Sequence, residues 1–251
     1  MEASVSHAWF RFYAELNDHL PFDRQYQTLE KTFYVPGAVK DMIESFGVPH
    51  TEVELILING QSADFSSLVR DGDRVAAYPM FESLDITPEL RVRPAPLRDP
   101  KFVLDVHLGR LAAYLRMLGF DAKYDHAASD PELARISATE QRILLTRDRG
   151  LLKRSAVTHG YWVRQTGGRR QAAEVVARFD LARGFRPFTR CMVCNTVLRE
   201  ATTEEVRPLL PVRAAATFDQ FLRCPSCTRV FWKGSHYRRM QSWIVELARP
   251  A

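Results

Sequence analysis

Four cysteines make up the whole cysteine content of this 251-residue chain, and they fall as two pairs of equal spacing, Cys191-Met-Val-Cys194 and Cys224-Pro-Ser-Cys227. Two thiolates three residues apart reach one ion from a tight turn, and two such turns fill a tetrahedral coordination sphere. Cys191, Cys194, Cys224 and Cys227 are therefore predicted to hold one structural zinc between two hairpins, with 29 residues between the pairs. Reduced thiols or two disulfides are the plainer alternative. A Cys-x-x-Cys redox site needs only one pair, and the start of the chain, Met1-Glu2-Ala3-Ser4, has no basic stretch followed by an apolar run that would direct it to an oxidising compartment. All four positions on such an ion are taken, so reactive chemistry must lie elsewhere.

The second group is acidic. Phe102-Val103-Leu104 ends in Asp105, and Ile143-Leu144-Leu145-Thr146 runs into Arg147-Asp148-Arg149. Short apolar strands alternate here with helical stripes. Leu108, Leu111, Ala112, Leu115 and Leu118 form one stripe, closed by Gly119, and Phe120, Ala122 and Tyr124 alternate as a strand. A helix is predicted over 131–140, with Asp130 as N-cap and Pro131 in the first position. A strand over 161–163 and a helix from Gln171 complete the run. This alternation predicts an α/β domain with a mainly parallel, Rossmann-like sheet covered on both faces.

In open parallel sheets, sites form beyond the carboxyl ends of the strands. That rule sends Asp105 and Asp148 into one crevice, with Asp130 able to join them. Carboxylates facing each other repel and are costly to bury unless cations neutralise them. Mg²⁺ or Mn²⁺ does so through oxygen ligands, and either can promote attack of water on a phosphodiester. Arg110, Arg116, Arg147, Arg149, Lys153 and Arg154 supply positive charge for phosphates. Each acid also has a plainer reading as the cap of the next helix, and Arg147 and Arg149 as ion-pair partners of Asp148. Asp121 and Asp125 read as solvated loop residues, and the seven histidines show no ligand spacing.

Around these groups the chain has 46% hydrophobic and 26% charged residues, the balance of a soluble globular protein. No run of about 18 apolar residues suggests a membrane span, and a cytoplasmic location is expected. The net charge of +5 divides unevenly: residues 1–97 hold 8 Lys/Arg against 15 Asp/Glu, whereas residues 98–251 hold 27 against 15. Polyanions, nucleic acid above all, are the partners such a basic domain attracts.

The acidic part reads as strand, strand, helix, strand, strand. Trp9–Leu16 alternates with Phe10, Phe12 and Ala14 inward, and a second strand follows near Leu29–Val35. Val39, Met42, Ile43 and Phe46 make a helix stripe, and Asn59-Gly60 and Asp71-Gly72-Asp73 mark turns. This is the element order of an α+β β-grasp fold, expected over 1–81, to fold alone and to stand outside the chemistry. It resembles the ubiquitin-like sulfur carriers, yet the place of their terminal Gly-Gly reads Tyr78-Pro79-Met80-Phe81. Pro88, Pro94, Pro96 and Pro100 mark a linker over 82–100.

Phe102-Val103-Leu104-Asp105, Leu108-Gly109-Arg110-Leu111, Leu115 to Asp121 and Arg142 to Arg149, with Arg190 to Asn195 and Phe231 to His236, together resemble the Mut-seven C-terminal RNase family. The resemblance spans about 101–243 and implies a PIN-like nuclease domain over 101–185 fused to a zinc ribbon over 186–245, preceded by that family's ubiquitin-like domain. It implies a metal-dependent ribonuclease in which Asp105, Asp148 and Asp130 hold catalytic Mg or Mn. The RNA partner is then gripped by Arg110, Arg116, Arg147 and Arg149 near the acids. On the ribbon the contacts are Lys233 and His236, along with Arg190, Arg223, Arg229, Arg238 and Arg239 beside Phe231, Trp232 and Tyr237. The rival expectations are a non-catalytic RNA-binding or ribosome-associated module, and an adaptor that recruits a protein partner through the ubiquitin-like domain.

Overall fold

Alternation of large apolar residues sets the first strand: Ala8, Phe10 and Phe12 of β1 (Ser6–Phe12) are buried while Trp9 and Arg11 point outward. The structure, a computed structural model, describes residues 5–79 and 100–249, so the linker expected over 82–100 lies, apart from Pro100, outside the described residues. Following β1 come β2 (Thr28–Phe33), β3 (Gly37–Ala38), α1 (Val39–Ser45), β4 (Leu55–Ile58), β5 (Gln61–Ala63), β6 (Leu68–Val69) and β7 (Arg74–Tyr78). Five of these strands form one sheet in the order β2-β1-β7-β4-β5, with β1 antiparallel to β2 and parallel to β7. Val39, Met42 and Ile43 of α1 press on Phe10, Phe12, Ile56 and Val75 in the core. Asn59 and Gly60 both take positive φ, 51° and 82°, as a two-residue hairpin between β4 and β5 requires. The order is that of the expected β-grasp domain.

One expectation here needs correction. The first strand stops at Phe12, and Ala14 is exposed with φ +45°. Asn17 is the cause: its side-chain amide donates to the carbonyls of Phe12 (2.9 Å) and Ala14 (3.0 Å) and turns the chain into a 3-10 segment.

Beyond residue 100 strands and helices alternate through β8 (Phe102–Leu104), α2 (Gly109–Met117), β9 (Ala122–Tyr124), α3 (Asp130–Thr139), β10 (Ile143–Thr146), α4 (Arg149–Leu152), β11 (Gly160–Trp162) and α5 (Gly168–Arg178). Then come β12 (Arg199–Ala201), α6 (Thr203–Val206), α7 (Val212–Thr217), β13 (Phe221–Arg223), β14 (Val230–Trp232) and α8 (Ser235–Leu247). Two strand pairs of the α/β part are parallel, β8 with β9 and β10 with β11. Every residue of the Leu108–Leu118 stripe is buried. The last three strands form a separate antiparallel sheet. The fifth helix starts three residues ahead of the predicted Gln171, at Gly168.

The chain resolves into two compact units, and the first joins the N-terminal domain to Ala134–Trp162. Within that unit a buried polar seam fastens the N-terminal residues to the 134–162 stretch. His19 Nε2 and Glu52 Oε2 lie 2.9 Å apart with both side chains fully buried, and Glu52 Oε1 accepts the Trp162 backbone N–H at 2.6 Å. His50 bridges Glu44 (2.6 Å) and the Val157 carbonyl (2.9 Å), and Lys153 Nζ donates to the Glu44 carbonyl (3.0 Å). The N-terminal domain therefore has buried polar partners outside its own residues. Glu52→Ala leaves a buried imidazole and a backbone N–H without their acceptor, so it is expected to cost about 3–5 kcal/mol. Denaturant unfolding of the full chain measures this, and a change below about 1 kcal/mol would contradict the seam.

The seam also carries a pH dependence. Burial raises the Glu44 carboxyl, but the hydrogen bond and charge of His50 outweigh it and hold the group below its ordinary 4.5. A folded-state value below the unfolded one stabilises fully above that ordinary value and is lost as pH falls through the lowered one. The melting temperature of the wild type is therefore expected to drop on acidification below about pH 4.5 by more than that of Glu44→Gln. Parallel curves would contradict it.

Candidate metal centre and acidic strand ends

Each cysteine pair sits in a turn built the same way. The Cys191 N–H donates to the Thr196 carbonyl (2.8 Å) and the Asn195 N–H to the Cys191 carbonyl (2.9 Å); the Cys224 N–H donates to Arg229 (2.9 Å) and the Thr228 N–H to Cys224 (3.0 Å). Asn195 and Thr228 take positive φ, 71° and 60°, closing each loop so that both sulfurs face inward. The first turn is bounded by the Arg190–Val197 bridge and the second joins β13 to β14. These are the two hairpins the spacing predicts.

The sulfurs meet across the two turns, Cys191 to Cys227 at 3.5 Å and Cys194 to Cys224 at 3.3 Å, with all four within 4.8 Å of one another. Zinc–sulfur bonds of about 2.3 Å in a tetrahedron place sulfurs about 3.8 Å apart, so the donor set fits a zinc ion. Burial pushes the Cys191 thiol up to about 12. At Cys194 burial acts in the same sense but is outweighed by hydrogen bonds with Thr196 and Cys224, which bring it down to about 6. Thiols so placed do not ionise together unaided, whereas a coordinated ion deprotonates its ligands.

The mount of the first turn contains residues whose role the sequence did not disclose. Arg116 of α2 is only 4% exposed. Its guanidinium donates to the carbonyls of Ala122 (2.8 Å), Val193 (2.7 Å) and Met192 (3.3 Å). Burial lowers its pKa, an effect opposed by the Cys191 and Cys194 sulfurs. Arg116 thus ties β9 to the cysteine turn, and its predicted contact with RNA is corrected: the group is sealed from solvent and occupied by carbonyls. Asn195 accepts from the Ala122 N–H (3.1 Å) and donates to Asp121 (2.7 Å), which also faces Arg190 at 4.0 Å. Asp121, read as a solvated loop residue, belongs to this mount. Gly119 (φ +100°) completes it, because a Cβ there would lie 2.3 Å from the Arg186 carbonyl oxygen.

The acids occupy strand ends. Asp105 directly follows β8, is 5% exposed, and its carbonyl accepts from Leu108 N–H (2.9 Å) in a 3-10 turn. Asp148 lies two residues past β10; its N–H is held by Thr146 Oγ1 (2.9 Å), and one carboxylate oxygen caps α4 through the Gly150 N–H (2.7 Å). The capping role foreseen as the plainer reading of Asp148 is therefore present, and the residue is exposed. Asp130 is the first helical residue of α3 instead of its cap, since Leu133 N–H already bonds to the Ser129 carbonyl (2.9 Å). Among the described residues, the metal-capable group drawn together is the cysteine quartet.

Of the remaining cations, Arg110, Arg147 and Arg154 are exposed. Arg149 is engaged from two sides: its guanidinium lies 4.8 Å over the Trp162 ring of β11 and donates to the His19 carbonyl (3.3 Å) of the N-terminal domain. On the ribbon Lys233 Nζ reaches Gln220 (3.0 Å), and Arg239 reaches His236 Nε2 (3.3 Å). No helix among the described residues is long and apolar enough to cross a membrane.

Two family models match the chain. The Mut7-C RNAse domain covers residues 100–244, and the Mut7-C ubiquitin covers residues 5–85. No curated protein and no solved structure matches it.

Proposed function

Since the chain belongs to the Mut7-C RNase family and carries that family's ubiquitin-like domain, we propose that it is a metal-dependent ribonuclease with a PIN-like catalytic domain. The observation that carries this reading is the family match over 100–244 taken with two acids, Asp105 and Asp148, at the carboxyl ends of parallel strands. Their oxygens are the hard donors that suit Mg²⁺ or Mn²⁺. Asp105 and Asp148 are assigned as primary ligands, with Asp130 binding directly or through water. A divalent ion held there supplies the positive charge that favours attack of water on phosphorus and offsets charge building on the phosphodiester. The backbone of Asp105 is fixed by the turn it opens, and one carboxylate oxygen of Asp148 is held by its cap on α4. Arg110 and Arg147 hold phosphates of the bound strand.

The cysteine turns are assigned a structural zinc, which holds the two hairpins of the ribbon together. A protein partner of the ubiquitin-like domain would use the outer sheet face, where Trp9 is exposed and Tyr13 stacks on Tyr78 at 4.3 Å, because the polar seam occupies another surface.

Incubating the zinc-loaded full chain with structured and unstructured RNA, with and without Mn²⁺ or Mg²⁺, tests the proposal. Cleavage that needs the added ion is expected. RNA bound but uncut at every ion concentration would favour the non-catalytic RNA-binding module.

A further inference from the structure

The ribbon carries a feature that neither the cysteine site nor the acids use. A groove of about 1090 Å³ opens between the antiparallel sheet, the segment at Phe188 and the start of α8. Its size is at the upper end of small-ligand sites, yet its walls are aromatic: Phe188, Phe231, Trp232 and Tyr237 all line it. Phe231, Trp232 and Tyr237 are only part-buried, so they are not committed to the ribbon core. Phe188 holds φ at +60°, a conformation uncommon for a bulky residue, and its ring meets Tyr237 with centroids 4.5 Å apart. Gly234 allows the Trp232 indole to lie close by, since a Cβ would come within 3.1 Å of its Nε1.

Charge decides what enters. Two exposed carboxylates, Glu200 and Asp219, lie along the groove and disfavour phosphate beside them. Exposed cations stand along it as well, Lys233 in the lining itself and Arg238 and Arg239 on the first turns of α8. Part-buried aromatic faces with exposed cations alongside fit a strand whose bases stack in the groove while its backbone follows Lys233, Arg238 and Arg239. A duplex cannot do this, because its bases are already paired and stacked.

We propose that this groove is a stacking site for unpaired RNA, holding bases on Trp232, Phe231 and Tyr237 with the phosphates against Lys233, Arg238 and Arg239. The proposal deepens the ribonuclease reading by naming single-stranded RNA as the class it takes, but the binding itself does not require cleavage.

The test measures fluorescence anisotropy of a labelled 12-nucleotide RNA with the zinc-loaded full chain in buffer free of Mg²⁺ and Mn²⁺, so that failure of catalysis cannot be mistaken for failure of binding. Loss of one stacked base is expected to weaken binding about 5- to 150-fold. Trp232→Ala should show that loss, Trp232→Phe should recover most of it, and the same oligomer made abasic should bind wild type and Trp232→Ala equally weakly. Zinc content and circular dichroism establish that the variants are folded. If Trp232→Ala fails to retain zinc, the comparison of Trp232→Phe and of normal against abasic RNA on wild type decides the matter. Abasic RNA binding wild type as tightly as normal RNA would overturn the proposal, as would a duplex binding better than the single strand. So would sedimentation showing the groove filled by a second copy of the chain and RNA binding unchanged in Trp232→Ala.

Discussion

Replacing Asp105 or Asp148 with Asn is expected to abolish RNA cleavage while leaving a folded, zinc-loaded protein. Asn keeps the shape of the side chain and removes its charge. At position 148 it still caps the Gly150 N–H, since Asn is as good an N-cap as Asp. At position 105 it removes a charge from a site only 5% exposed, so the desolvation cost of that charge is relieved and can offset what is lost. The stability change should therefore stay small and can be favourable in metal-free buffer. Activity should fall well beyond the about 10- to 100-fold typical of losing a residue that only supports a metal ligand. RNA binding, carried by Lys and Arg, should survive and remain sensitive to salt. Variants that cut at the wild-type rate would remove these acids from the reaction. Variants whose loss of activity follows their loss of folding would reduce them to a cap and a buried turn residue.

Cys194→Ser is expected to have the largest effect on structure. Structural zinc contributes folding free energy of about 10–16 kcal/mol in small cysteine modules, and the ribbon has little else: β12, β13 and β14 are three residues each. The variant should lose its metal by elemental analysis, and residues 186–240 should become protease-sensitive while the core around Phe10 and Ile43 persists. One zinc per chain is expected in the wild type. Native protein without zinc, or full retention in the variant, would defeat the assignment.

The features legible in the sequence were those written locally. Two equal cysteine spacings sufficed for two hairpin turns, and short apolar runs ending in Asp105 and Asp148 placed both acids at strand ends. Periodicity located α1 and the Leu108–Leu118 stripe to within a residue or two. Features that depend on distant partners stayed hidden. His19 and Glu52 are 33 residues apart, and Trp162 lies 110 beyond Glu52; no spacing rule joins them. Arg116 looked like a phosphate contact because its charge was visible and its carbonyl acceptors, 76 and 77 residues on, were not. Ala14 suited a strand by alternation, but the amide of Asn17 ended that strand. A signal was present for Asn195: a short polar residue directly after a Cys-x-x-Cys suits the left-handed position that closes such a turn.

The central claim is that Asp105 and Asp148 share one catalytic divalent ion. It is tested most directly by titrating Mn²⁺ into zinc-loaded protein and following bound ion by electron paramagnetic resonance and RNA cleavage in the same samples. The account expects one Mn²⁺ per chain, a cleavage curve that follows its occupancy, and loss of both in Asp105→Asn and in Asp148→Asn. Cleavage that runs at full rate with no Mn²⁺ or Mg²⁺ bound, or an ion that binds the variants as it binds the wild type, would contradict it.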